Sequence, residues 1–181
     1  MNQFKFKIIL LVVILLKTQP LSHSLTVKFT KFECFAFDKP FADIPKCYLK
    51  ALARDKVALN LHVRLHQVPV PNVSVNAGFF IKGSTQMYRP FLYNNTVNFC
   101  KFLKNPNHLP FWKIVYSIIK PASNINHTCP YNHDIIVNNL VLDSGMLKMV
   151  PFPTGDYLVI LRVAAYNHYK AEIRSYLSIK E

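Results

Sequence analysis

The stretch Val57-Ala-Leu-Asn-Leu-His-Val-Arg-Leu-His-Gln-Val68 decides the fold class. Val57, Leu59, Leu61, Val63 and Leu65 are apolar, and Asn60, His62, Arg64 and His66 fall between them. A period of two puts one row of side chains in a core and the other in water, so the segment is a half-buried strand. Pro69-Val70-Pro71 interrupts it, because proline cannot donate to a ladder. Alternation resumes with Val73, Val75, Ala77, Phe79 and Ile81, and Gly83-Ser84 makes the next turn. The two runs are expected to form an antiparallel pair.

Working outward, Phe29–Phe37 and Cys47–Arg54 are expected strands on the N-terminal side. Met87–Phe99 is extended, and Pro90 within it points to an edge or a bulge. Pro110 then opens Phe111-Trp-Lys-Ile-Val-Tyr-Ser-Ile-Ile119, which stops before Pro121. Trp112, Val115 and Ile119 share a face at helical spacing, so this segment is a short helix, with a further turn expected at Cys100–Leu103. Ile135–Val137 is a short strand followed by a loop through Gly145. A last pair, Asp156–Tyr166 and Ala171–Ile179, is joined around Asn167-His168. Seven or eight short strands at this spacing predict an antiparallel, immunoglobulin-like β-sandwich with one short helix between Cys100 and Cys129.

The first 24 residues read as a cleaved signal rather than as part of the fold. Lys5 and Lys7 precede the apolar run Ile8–Leu16, and Ser22-His23-Ser24 offers small residues at the cleavage positions. Nine helical residues reach roughly 14 Å, about half of the ~30 Å hydrocarbon core. The expectation is therefore secretion, not an integral membrane protein, with residues 25–181 as a single domain. Lys5, Lys7 and Lys17 and no acid lie in the leader, so a net charge of +13 becomes +10 without it. The basic residues are scattered singly, without the clusters and interleaved aromatics that nucleic acid requires.

Cys34, Cys47, Cys100 and Cys129 remain in the mature chain. An even number in an oxidising compartment predicts two disulfides, with three pairings possible. The local one, Cys34–Cys47 and Cys100–Cys129, is preferred, each bridge contributing roughly 3–4 kcal/mol. Zinc is disfavoured because no two cysteines have CxxC spacing. Asn72, Asn94 and Asn126 each open an Asn-x-Ser/Thr sequon and are candidate glycosylation sites.

No GxSxG, HExxH or phosphate-cradling glycine loop occurs, so neither a catalytic residue, a metal ligand nor a cofactor is predicted. His62 and His66 flank Arg64, whose charge opposes a cation, and read as a solvated face. His133-Asp134 reads as a structural turn, since no nucleophile accompanies it. The apolar faces fit a closed core and a ligand cavity equally well, because periodicity is the same for both.

Several stretches, in order along nearly the whole mature chain, resemble a large insect family of small secreted, largely uncharacterised proteins. They are Phe29-Thr-Lys-Phe-Glu-Cys34, Ile44-Pro-Lys-Cys47-Tyr-Leu-Lys50, Arg89-Pro-Phe-Leu-Tyr-Asn-Asn-Thr96, Cys100-Lys-Phe-Leu103, Ser123-Asn-Ile-Asn-His-Thr-Cys129-Pro-Tyr-Asn-His-Asp134 and Pro151-Phe-Pro-Thr-Gly-Asp-Tyr157. That family is distantly similar to the ML (myeloid-differentiation-factor-related lipid-recognition) domain, through Cys129-Pro-Tyr131 and Gly155-Asp-Tyr157, and is related to insect chemosensory-B proteins. The resemblance implies a sandwich holding a lipid between its sheets, and a role in pheromone perception. Many ML proteins tie an early strand to the last one by a further disulfide; this chain has no cysteine after Cys129. The expected function is a non-enzymatic carrier of a hydrophobic ligand. Its cavity would be lined by Leu59, Leu61, Val63 and Leu65, and by Val75, Ala77, Phe79 and Ile81, with Trp112, Val115 and Ile119 at its mouth and a basic residue near the rim for an anionic head group. The alternative is an extracellular module with a filled core that binds a receptor or glycan through its basic surface.

Overall fold

A computed structural model describes residues 25–147 and 152–181; the expected leader, 1–24, lies outside them. Eight strands form two antiparallel sheets. The strands are β1 (Thr26–Ala36), β2 (Ala42–Ala53), β3 (Lys56–Leu65), β4 (Val73–Lys82), β5 (Tyr88–Asn98), β6 (Ile135–Val141), β7 (Gly155–Ala165) and β8 (His168–Lys180). The larger sheet has the order β1-β8-β7-β4-β5 and the smaller β2-β3-β6. Between β5 and β6 lie helices α1 (Phe99–Lys104) and α2 (Pro110–Ile119), each followed by a short 3-10 turn. A four-residue helix, α3 (Ser144–Leu147), follows β6.

The expected pairing of the two decisive runs is corrected. β3 pairs with β2 and β6, while β4 pairs with β5 and β7, so the runs lie in opposite sheets. Pro69-Val70-Pro71 is the reason. It ends β3 at Leu65, and Val70 spends its N–H and C=O on Tyr131 rather than on a hairpin. The chain then crosses to the other sheet at Val73.

Other local signals hold. β5 is an edge strand and carries a bulge, where Leu92 takes φ 56° and the register against β4 shifts. β7 and β8 join through Tyr166 and Asn167, one residue earlier than expected, with φ of 52° and 64°. A two-residue hairpin turn of type I′ requires positive φ at both positions, and asparagine tolerates it well.

Both disulfides are the local ones. Cys34 of β1 joins Cys47 of β2, linking one edge strand of each sheet. Cys100 of α1 joins Cys129, anchoring the helices to the loop that leads into β6. The sandwich is therefore laced along one side. On the other, α1 and α2 occupy the gap where three strands face five.

Candidate ligand-binding site

The core is divided among four clusters rather than filled continuously. Phe29, Leu59, Val137 and Leu140 pack where β1, β3 and β6 meet. Val75, Phe79 and Val97 pack under the helices with Phe102 and Trp112. Phe41, Val70, Tyr131 and Ala165 close one end of the sandwich, and Val27, Tyr157 and Ile179 the other. Between them lie two adjoining cavities of about 200 and 220 Å³, neither fully sealed.

The first lobe runs beside the Val27–Tyr157 end, under Phe111, Ile114 and Ile118 of α2. The second runs beside the Tyr131 end, under Trp112 and Tyr116. Leu61, Val115, Ile119, Val137, Leu161 and Ile173 border both and form a waist contributed by both sheets and the helix. The waist explains why these inward side chains other than Val137 and Ile173 are only half-buried: they face empty volume instead of neighbours.

Of the residues expected at a cavity, Leu61, Val115 and Ile119 sit at the waist, and Leu59 and Phe79 line the first lobe. Val63, Leu65, Val75 and Trp112 line the second. Two are displaced. Ala77, fully buried, belongs to the packed cluster beneath the helices, where its methyl is too short to reach either void. Ile81 lies past the first lobe and packs on the Val27–Tyr157–Ile179 cluster. The residues that sequence reasoning left out are chiefly Val159, Leu161 and Val163 of β7 and Ile173 of β8. Their signal was weaker than that of β3, since apolar Leu158, Ile160 and Ala164 fall between Tyr157, Val159, Leu161, Val163 and Ala165, so alternation does not mark the inward row.

The tyrosines at the walls turn their hydroxyls outward. Tyr116 donates to the Ile125 carbonyl at 2.8 Å, Tyr157 to Pro153 at 2.6 Å and Tyr131 to His127 at 3.0 Å. Burial pushes the Tyr131 phenol up to about 12, so it stays a neutral donor. Two charged residues reach the walls among the described residues. Lys170, at the second lobe, has Nζ 2.6 Å from Asp38 Oδ2 and lies 4.8 Å from the Phe41 ring centroid. The hydrogen bond from Lys170 holds the Asp38 carboxyl below its usual range. Asp143, at the mouth of the first lobe, is exposed and accepts from the Gly145 amide at 2.7 Å.

The histidines stand apart from the cavity. His62 Nε2 lies 2.7 Å from Asp134 Oδ2, and the Leu65 amide donates to the other carboxylate oxygen. These hydrogen bonds, His62 first, hold Asp134 below the usual range and tie the loop before β6 onto β3. His66 has turned off the end of β3, so it no longer shares that strand with His62. Among the described residues no group of three or more His, Cys, Asp or Glu side chains is placed to hold a metal ion. No helix among them is long and apolar enough to cross a membrane.

Asn72, Asn94 and Asn126 are all exposed. Asn72 and Asn94 use their side-chain oxygens to accept from Asn98 and Asn76.

A family model described as "Protein of unknown function (DUF1091)" matches residues 75–159. The match spans β4 to the first half of β7, and so covers the helices, the Cys100–Cys129 bridge and half of the cavity wall. No curated protein matches the chain.

Proposed function

We propose that the protein is a secreted, non-enzymatic binder of a lipid or other hydrophobic ligand, carried between its two sheets. One observation supports this reading above the rest: the space between the sheets holds two adjoining lobes with hydrocarbon walls. Protein interiors pack as densely as organic crystals, and few voids exceed a water molecule, whose share of the liquid is about 30 Å³. A sealed, empty cavity the size of either lobe would cost about 5 kcal/mol, comparable with the entire net stability of a small domain. Water gains little from such walls. An apolar occupant removes the penalty and adds about 2.5 kcal/mol for each 100 Å² of its own surface taken out of water. Together the lobes come within the ~300–1,000 Å³ of small-molecule sites.

Export by the leader, glycans at Asn72, Asn94 and Asn126, and a place in insect chemosensory perception complete the proposal, the last on the family resemblance alone. The test is native mass spectrometry of protein secreted from insect cells and purified without detergent, followed by lipid extraction. Discrete extra mass that dissociates as lipid is expected. Glycoform masses alone, with no uptake from a lipid panel, would overturn the reading and favour a receptor- or glycan-binding module.

A further inference from the structure

Resting on that reading, we infer that the ligand is an uncharged, single-chain amphiphile with its hydroxyl end in the first lobe, which Asp143 and Ser175 line, and not a fatty-acid anion. The distribution of polar groups along the cavity carries this. Ser175 projects from the inner face of β8 into the first lobe, and Asp143 stands at the same lobe's mouth. The amide of Gly145 occupies Asp143 Oδ1, and Oδ2 takes no intramolecular hydrogen bond among the described residues. The first lobe thus carries a hydroxyl on its wall and, at its mouth, a negatively charged hydrogen-bond acceptor. A ligand O–H donates to it, whereas a ligand carboxylate meets a like charge and loses its hydration as well.

Among the described residues, a basic residue to receive an anionic head group, expected from sequence, is not free at the cavity. Lys170 is the cation that they bring to the wall, and its side chain is only 11% exposed with Nζ 2.6 Å from Asp38. A carboxylate arriving there would have to displace Asp38 from Lys170 and then sit against the displaced charge. The hydroxyls of Tyr116, Tyr131 and Tyr157 are already committed to backbone carbonyls.

Shape selects for one chain. From Lys170 to Leu177, β8 runs along both lobes over roughly 23 Å at a strand's rise per residue. The waist lies between, with side chains closing from both sheets and from α2. A flexible alkyl chain threads such a constriction, and its far end lies in the second lobe, whose wall is hydrocarbon apart from the paired Lys170.

The experiment uses the delipidated full mature chain and competition against the fluorescent probe N-phenyl-1-naphthylamine at neutral pH. Hexadecanol, hexadecane and palmitate are the competitors. Hexadecanol is expected to bind about tenfold or more tighter than palmitate. Asp143→Asn, a substitution at an exposed position, is expected to close most of that gap by improving palmitate. Ser175→Ala is expected to weaken hexadecanol by about threefold and to leave hexadecane unchanged. Palmitate binding as tightly as hexadecanol would overturn this inference while leaving the carrier reading intact. Hexadecane matching hexadecanol would overturn the hydroxyl end. Binding of neither probe nor any competitor would bring down the carrier reading itself.

Discussion

Glu172 shows how a single residue contributes to the pH dependence of this fold. It is 4% exposed on β8, with Arg162 Nε donating to one carboxylate oxygen and Arg174 to the other, each at 2.6 Å. Desolvation works to raise the carboxyl, but the hydrogen bonds from Arg162 and Arg174 outweigh it, and its value ends below the usual range. A depressed folded-state value stabilises the fold above the unfolded value near 4.3 and loses that contribution as pH falls through the folded one. Glu172→Gln is therefore expected to cost about 2 kcal/mol at neutral pH in urea unfolding, because it leaves two guanidinium groups facing a neutral amide. The deficit should shrink as the wild type is taken below pH 4 and its own carboxyl is protonated. At this scale the sequence was informative about cysteines and sequons, whose chemistry is local. It was silent about Glu172, because nothing near it in the chain announces that Arg162 lies directly across the β7–β8 ladder.

Among the elements, α2 was the most legible and the most consequential. Pro110 opens it and Lys120-Pro121 follows its end, as fixed φ and a missing N–H require. Its apolar arc is wider than Trp112, Val115 and Ile119. Phe111, Ile114 and Ile118 extend it, so one helix covers both lobes. Beside the buried Trp112, two side chains attach it to neighbouring elements. Phe111 stacks on Tyr93 with centroids 3.9 Å apart, and Tyr116 donates to the Ile125 carbonyl. Tyr116→Phe keeps the ring and removes the hydrogen bond, so it should cost about 1 kcal/mol. Hydrogen exchange is the measurement: amides of residues 114–119 should exchange about fivefold faster, with those of β7 and β8 unchanged. The β3–β4 pairing was not legible for a converse reason. Alternation says that a strand is half-buried, and says nothing about which strand lies beside it.

For the whole molecule, the asymmetry between the two long sides matters most. Cys34–Cys47 laces the edge strands on one side, and side chains of α1 and α2 fill the other. The bridge closes a loop with a sequence separation of 13, for which the chain-entropy model gives about 3 kcal/mol. Cys34→Ser/Cys47→Ser should lose about that much stability in denaturant titration. It should also bind more 8-anilinonaphthalene-1-sulfonate before the unfolding transition, as the unlaced sheets part over the cavity. Loss of stability without extra dye binding would mean that the bridge acts only on the unfolded chain.

By itself the sequence determined that this chain is mostly β, where its strands and main helix run, that its four cysteines suit two bridges, and which rows of β3 and β4 turn inward. All of these rest on interactions within a few residues or on short loops. Only the tertiary structure decided that β3 and β4 face each other across the interior, and that the interior is not filled. The physical reason is geometric. A three-stranded sheet cannot cover a five-stranded one, and whether the uncovered width is packed solid or left as a cavity depends on how far a helix stands from strands distant in sequence. The same alternation of leucine and valine serves either outcome.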